Sequence, residues 1–166
     1  MIHVEHPFEA IYNNESEILI LGSFPSVKSR ENLFFYGHKQ NRFWKVIAGI
    51  FGENEPKTIP EKKALLLRNH IALWDVIKSC DIEGSSDSSI KNVIPNDLSL
   101  ILQKAKIKKI IVNGKIAEKY YKLHIESKIN KTAKYLPSTS SANAKWNLKS
   151  LIEIWGCEIN GAGERI

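Results

Sequence analysis

Four short apolar runs, each followed by polar or small residues, set the pattern of this chain. They have the length of β-strands and are apolar at nearly every position, which is typical of strands buried on both faces of a parallel sheet. The four predicted strands cover residues 17–22 (EILILG), 71–77 (IALWDVI), 107–114 (IKKIIVNG) and 133–138 (AKYLPS).

Segments with apolar residues at helical spacing follow these strands. We predict helices at residues 41–52, 60–70, 96–105, 115–125 and 144–156, with Asn96 capping the third and Gly156 ending the last. The polar stretch 83–90 (EGSSDSSI) is predicted to be a loop. Alternating strands and helices indicate an α/β fold, a three-layer α/β/α sandwich around a central, mostly parallel four-stranded sheet. We expect residues 1–166 to form a single domain.

The carboxyl ends of these strands are where we expect a binding site. Ligands of open α/β sheets bind at that edge. The segments that reach it are also the most polar and the richest in glycine and serine: residues 22–44, 74–90, 113–115 and 137–145.

Composition narrows the class of partner. The 166 residues carry a net charge of +6, which suits a polyanion such as nucleic acid without requiring one. Two cysteines, Cys80 and Cys157, form no CxxC pair, so we expect no metal site and a reduced, cytoplasmic setting. We expect no signal peptide, and no apolar run is long enough to span a bilayer.

The glycine-rich phosphate loops of common nucleotide-binding folds are absent. Neither GxGxxG nor GxxxxGK[ST] occurs. Instead, the loop PSTSSANAKW after the last strand offers four hydroxyl groups and a predicted helix start near Lys145. Hydroxyls and backbone N–H groups at a helix N-terminus can hold a phosphate, although an ordinary serine-rich cap explains this loop equally well.

Two ordered motifs carry a resemblance to a known family. GSFPS (22–26) resembles the GxxP-type motif of the uracil-DNA glycosylase superfamily, and LPSTSSA (136–142) resembles its late PS-type loop. The stretches FFYGHKQNRFW, IALWDVIKSC, EGSSDSSI and VNGKIAEKYY are most similar to the deoxyinosine (hypoxanthine-DNA) glycosylase branch, family six. The resemblance covers about residues 15–155 and implies the α/β/α fold given above.

Three positions depart from the pattern common in that superfamily. Phe24 stands where most members have an Asp or Asn that positions the attacking water, and Leu136 stands where many have a His. Trp74 stands at the strand position where uracil-specific members carry an Asn that reads the pyrimidine edge. The resemblance to the deoxyinosine branch implies that Asn41, in QNRFW, is the catalytic residue instead. Its carboxamide oxygen would orient the water.

The remaining candidates divide between the base and the DNA backbone. Phe24 either stacks on the base or packs in the core, and Trp74 is more typical of a core residue. His38 can donate to the base or a phosphate and Tyr36 can stack on the base, but each can equally be structural. Asp75 can orient a purine N1–H or be a solvated acid. For base binding we name Gly22, Ser23, Phe24, Tyr36, His38, Trp74, Asp75 and Asn113. For phosphate contact and an intercalating loop we name Ser26, Ser138, Thr139, Ser140, Ser141 and Lys145.

The resemblance therefore implies a monofunctional DNA glycosylase that flips out and hydrolyses hypoxanthine from double-stranded DNA. We expect a monomer without a cofactor, and without a lyase step because no motif presents a catalytic amine. Two alternatives stay open: a glycosylase that prefers uracil or another deaminated base, and a non-catalytic DNA- or nucleotide-binding domain, which the loss of polarity at Phe24 favours.

Overall fold

The computed structural model describes residues 1–161 and contains the predicted parallel sheet. Elements are numbered in chain order. The sheet contains β2 (Ile18–Gly22), β3 (Ile71–Asp75), β6 (Lys109–Asn113) and β7 (Lys134–Leu136), in the order β3-β2-β6-β7 with every neighbouring pair parallel. The four strand predictions are confirmed, and each strand is shorter than predicted.

Helices cover both faces of this sheet, which confirms the α/β/α prediction. They are α1 (Val27–Asn32), α2 (Phe43–Phe51), α3 (Ile59–Arg68), α4 (Ser99–Lys104), α5 (Lys115–His124), α6 (Glu126–Ile129) and α7 (Leu148–Ile159). Within residues 1–161 no helix is both long and apolar enough to cross a membrane.

Side chains that alternate between the two faces of β2 divide the core into two clusters. Ile20 faces a cluster formed with α2, α3 and α7, while Leu19 and Leu21 face a second cluster formed with α4 and α5. All three side chains are fully buried. Successive strand residues point to opposite faces, so a continuous apolar run fills both layers at once.

A second, antiparallel sheet was not predicted. It consists of β1 (Ile2–Glu5), β4 (Ile77–Ile82) and β5 (Lys91–Pro95) in the order β1-β4-β5. The run predicted as one strand over 71–77 therefore leaves the parallel sheet after Asp75, and the chain continues as β4. The predicted loop 83–90 contains one 3-10 turn, Asp87–Ser89.

Three predicted helix ends are wrong. Asn96 is no cap: its side-chain amide donates to the carbonyls of Asp75 and Ile77, and α4 begins three residues later at Ser99. The last helix starts at Leu148 with Asn147 as its N-cap, so Lys145 lies before it. Gly156 lies inside that helix, which ends at Ile159.

Candidate active site

A cavity of about 290 Å³ opens where the carboxyl ends of the parallel strands meet. That volume is near the lower end for small-ligand sites. Most predicted site residues line it: Gly22, Ser23, Phe24, Ser26, Tyr36, His38, Asn41, Asp75, Asn113, Ser138, Thr139, Ser140 and Ser141. Trp74 and Lys145 do not.

Two tryptophans hold the loops that form the cavity walls. Trp44, on α2, donates its indole N–H to the carbonyl of Phe35 at 3.1 Å. Trp155, on α7, donates to the carbonyl of Pro137 at 3.0 Å. Both indoles are buried, so each wall is anchored to the core by a hydrogen bond shielded from water.

Asn41 lies just before α2, and its amide orientation is fixed. Its Oδ1 accepts from the backbone N–H of Phe43 at 2.9 Å and from the Thr139 hydroxyl at 2.9 Å. Because a backbone N–H can only donate, the oxygen must face Phe43. Nδ2 of Asn41 has no hydrogen-bond partner within residues 1–161. The residue therefore offers the cavity a donor, whereas the sequence prediction relied on its oxygen.

Thr139 joins Asn41 to the end of β6. It is fully buried, and its backbone N–H donates to Asn113 Oδ1 at 3.1 Å. That contact fixes the second amide, so Asn113 Nδ2 donates to the Thr139 hydroxyl at 3.2 Å and to the Tyr36 hydroxyl at 3.1 Å. Thr139 was predicted to contact phosphate. Its hydroxyl is occupied within this network, and we assign it there instead.

Tyr36 closes the network beside Gly22. Burial, with the nearby Asp75 charge, raises the pKa of Tyr36 well above its usual range, so the hydroxyl stays neutral. Its oxygen accepts from Asn113, which leaves its own proton for another acceptor. One face of its ring stacks on Phe43, with centroids 4.2 Å apart. Tyr36 thus reaches the cavity mainly through its hydroxyl.

Gly22 allows Asp75 and Tyr36 to approach the cavity floor. A Cβ on Gly22 would lie 2.8 Å from the Tyr36 hydroxyl oxygen and closer still to Asp75 Oδ1. Real Cβ atoms do not tolerate such distances, so the residue type is dictated by the site.

Of the two neighbouring strand residues predicted to read the base, only Asp75 lines the cavity. Trp74, next to it on β3, points away because side chains alternate along a strand. The Trp74 indole Nε1 is buried and has no hydrogen-bond partner among residues 1–161. Trp74 thus packs against the core, the role its sequence favoured, and Asp75 is the one of the two candidates that reaches the cavity.

Phe24 forms an apolar wall that is partly open to solvent. The His6 ring packs edge-on against it, with centroids 6.0 Å apart, and the Arg30 guanidinium lies 5.8 Å from its centroid. The Phe24 ring is thus supported from behind while it lines the cavity.

His38 is exposed at the rim, and its Nδ1 accepts from the backbone N–H of Gln40 at 3.1 Å. In the neutral ring Nε2 therefore carries the proton and can donate to a ligand.

The predicted phosphate loop is organised by a residue that sequence analysis missed. The Arg42 guanidinium donates to four backbone carbonyls of this loop. The acceptors are those of Thr139, Ser140, Asn143 and Trp146. No local pattern reveals this, because the contacts span about a hundred residues of sequence.

Three of the serine hydroxyls predicted to contact phosphate accept a hydrogen bond from a backbone N–H. Ser26 caps α1, Ser138 accepts from the N–H of Ser140, and Ser140 accepts from the N–H of Ala142. Ser141 and Lys145 are exposed, with Lys145 beyond the cavity wall.

His6 is the second residue that sequence analysis missed. It follows β1, and its Nε2 lies 2.8 Å from Asp75 Oδ2 across 69 residues of sequence. No group of three or more metal-ligating side chains occurs in the described chain.

Comparison with known proteins defines the class. A family model described as the uracil DNA glycosylase superfamily matches residues 10–156, so the chain belongs to that superfamily, as the motifs indicated.

Individual proteins within the superfamily are also similar to this chain. A protein of Methanosarcina acetivorans named hypoxanthine DNA glycosylase is 37% identical over 146 residues, which cover 87% of this chain and 91% of the relative. One of the same name from Methanosarcina barkeri is 35% identical over 150 residues, covering 89% and 93%. A solution NMR structure of a candidate uracil DNA glycosylase from M. acetivorans superposes with a TM-score of 0.80 at 34% identity, covering 95% and 97%.

Proposed function

We propose that this protein is a DNA glycosylase that removes hypoxanthine from deaminated double-stranded DNA. The observation that carries the proposal is the Asn41 amide, held in a cavity at the sheet edge with no partner for its N–H groups among residues 1–161. The relatives named hypoxanthine DNA glycosylase, which match nearly the whole chain, support the same reaction. A net charge of +6 suits a DNA substrate.

The chemistry required follows from the bond that breaks. Cleavage of a glycosidic bond develops positive charge on the sugar and negative charge on the departing base. A preorganised donor aimed at the base stabilises that negative charge. A donor aimed at the attacking water would instead withdraw electron density from the nucleophile. We therefore assign Asn41 Nδ2 to the leaving base, since Asn41 Oδ1 already accepts two hydrogen bonds.

The other cavity groups fit a flipped purine. Phe24 offers an aromatic face, worth about 1–3 kcal/mol for a stacked base. Hypoxanthine presents the O6 acceptor beside the N1–H donor, and the Tyr36 proton and Asp75 Oδ1 offer the complementary donor and acceptor. Ser138, Ser141 and Lys145 are proposed to hold the backbone beside the lesion, which would position the DNA without reading sequence.

The remaining parts of the proposal concern the setting. We propose a single-domain monomer that acts in the cytoplasm, cleaves no strand itself and needs no cofactor. Asp75 Oδ1 would accept the N3–H of uracil as readily as the N1–H of hypoxanthine, so uracil is the second candidate substrate.

The test is an incubation of the full-length protein with duplexes that carry a single inosine, uracil or xanthine. Hypoxanthine release, with strand cuts that appear only after alkali, is expected. Asn41→Ala should lower the single-turnover rate by about 10² or more, the effect of removing one well-placed donor. A protein that binds these duplexes and releases no base would overturn the proposal in favour of the non-catalytic domain.

A further inference from the structure

His6 and Asp75 form a buried pair directly behind the cavity. Their side chains are 3% and 5% exposed, and His6 Nε2 lies 2.8 Å from Asp75 Oδ2. His6 Nδ1 lies 2.8 Å from the carbonyl oxygen of Phe8. Both ring nitrogens thus face oxygen atoms.

These contacts fix how many protons the pair holds. A carbonyl oxygen has no proton to give, and the backbone N–H of Phe8 lies farther from Nδ1, at 3.5 Å, so Nδ1 donates to the Phe8 carbonyl. The contact between Nε2 and Oδ2 holds a second proton, whichever atom carries it. In either arrangement the pair has no net charge, and Asp75 Oδ1 is left as an acceptor that lines the cavity.

The surroundings keep this arrangement dry. Rings from separate segments enclose His6: Phe8 at 4.5 Å, Phe24 at 6.0 Å, Phe35 at 6.1 Å and Trp74 at 6.1 Å between centroids. Asp75 is the titratable group in hydrogen-bond contact with the ring, and Asp75 in turn approaches the Tyr36 hydroxyl beneath Gly22. With both side chains this far from water, His6 is the side chain in hydrogen-bond contact that can compensate the charge on Asp75.

We propose that His6 is a positioning residue for Asp75, holding it as a charge-compensated acceptor for the N1–H of hypoxanthine. This rests on the proposed function. An uncompensated carboxylate beside the base would repel the negative charge that develops as the base leaves, and so slow its release. The acceptor also selects for a ring N–H, because adenine presents a bare nitrogen at N1 and would face Asp75 Oδ1 acceptor to acceptor.

The experiment is a double-mutant cycle on the full chain with His6→Gln and Asp75→Asn. Glutamine can still donate a hydrogen bond to Asp75, but unlike the histidine ring it cannot carry the extra proton that compensates the Asp75 charge. We expect His6→Gln to lower the single-turnover rate on an inosine duplex by about 10²-fold, as expected for one lost electrostatic partner, while affinity for undamaged duplex is unchanged. In the Asp75→Asn background the same change should cost far less, since no charge then needs compensation.

The matched control is His3→Gln. His3 is exposed and also contacts acidic side chains, Glu5 and Asp81, but it lies on β1 away from the cavity. Its rate should equal that of the wild type. A wild-type rate in His6→Gln, or losses that multiply in the double variant, would overturn the proposal.

Two further readouts keep the test decisive. Thermal unfolding of each variant shows whether a lost rate reflects a lost fold, and nitrogen-15 NMR of the wild type reads the His6 ring directly. A His6 ring without a proton on Nδ1 contradicts the proposal even if no variant folds. A wild type that releases uracil but no hypoxanthine would instead refute the proposed function, and the same cycle on the uracil duplex would still measure the coupling through the uracil N3–H.

Discussion

Replacing Thr139 by valine should disable Asn41 without touching it. Thr139 is fully buried, and its hydroxyl is the link between the two amides, accepting from Asn113 at 3.2 Å and donating to Asn41 at 2.9 Å. Valine has nearly the same shape but neither hydrogen bond. The backbone contact from Thr139 N–H to Asn113 survives the change.

The magnitude follows from what is lost. Two neutral hydrogen bonds at roughly 1 kcal/mol each suggest a destabilisation of about 1–3 kcal/mol. Asn41 would keep one of its two fixed contacts, the N–H of Phe43, and could rotate about it. A donor displaced by about 1 Å can cost about 10²-fold in rate, so we expect a loss between about 10- and 10²-fold.

The assay is single-turnover release of hypoxanthine with enzyme in excess over an inosine duplex, beside a denaturant titration. Thr139→Ser should recover most of the rate, because serine keeps the hydroxyl. Thr132→Val, at an exposed threonine, is the matched control and should behave as wild type. Full activity in a destabilised Thr139→Val protein would refute the reasoning, since it would show that Asn41 needs no orientation from Thr139.

Three further outcomes are expected. Phe24→Ala should weaken binding to inosine duplex by about 1–3 kcal/mol and leave undamaged duplex unaffected, measured by fluorescence anisotropy; equal losses on both would show that the ring only packs. Gly22→Ala should abolish base release because its Cβ would collide with Asp75 and Tyr36, whereas Gly156→Ala, whose nearest neighbour would be Ile50 Cγ1 at 3.6 Å, should stay active; an active Gly22→Ala enzyme would contradict the floor geometry. Lys145→Ala should reduce the slope of log affinity against log salt concentration by about 0.9, the value for one phosphate contact. Lys104→Ala, at the opposite edge of the sheet, should leave the slope unchanged. An unchanged slope in Lys145→Ala would remove Lys145 from the DNA interface.

The parallel sheet was predictable because its signal is local. Each buried strand is a continuous apolar run, such as ILILG over Ile18–Gly22, and no other element needs that composition. Once the strands are placed, the polar segments after them must meet at one edge. That argument brought Gly22, Asn41, Asn113 and Ser138 to the cavity before any side chain was positioned.

The second sheet and the contacts behind the cavity were not predictable in the same way. β4 reads IKSCDI, and its pairing with β1 joins residues almost eighty positions apart. His6 reaches Asp75 over a similar distance, and Arg42 reaches the late loop over about a hundred residues. A histidine near the N-terminus and an arginine before a helix have many ordinary roles, so only tertiary structure distinguishes these two.

The structure also explains how position 24 can be apolar in an active enzyme of this superfamily. The Phe24 ring is held by its neighbours without a hydrogen bond: the His6 ring packs edge-on against it, and the Arg30 guanidinium makes a cation–π contact with it. Asn41 is held differently: the backbone N–H of Phe43 fixes its amide directly, and the Thr139 hydroxyl donates to the same oxygen. The Phe43 N–H is a main-chain donor, so substitution of the Phe43 side chain does not remove it. The chain thus places its proposed catalytic amide where the backbone orients it and leaves position 24 free to stack, so the absence of Asp or Asn at Phe24 does not favour a protein without activity.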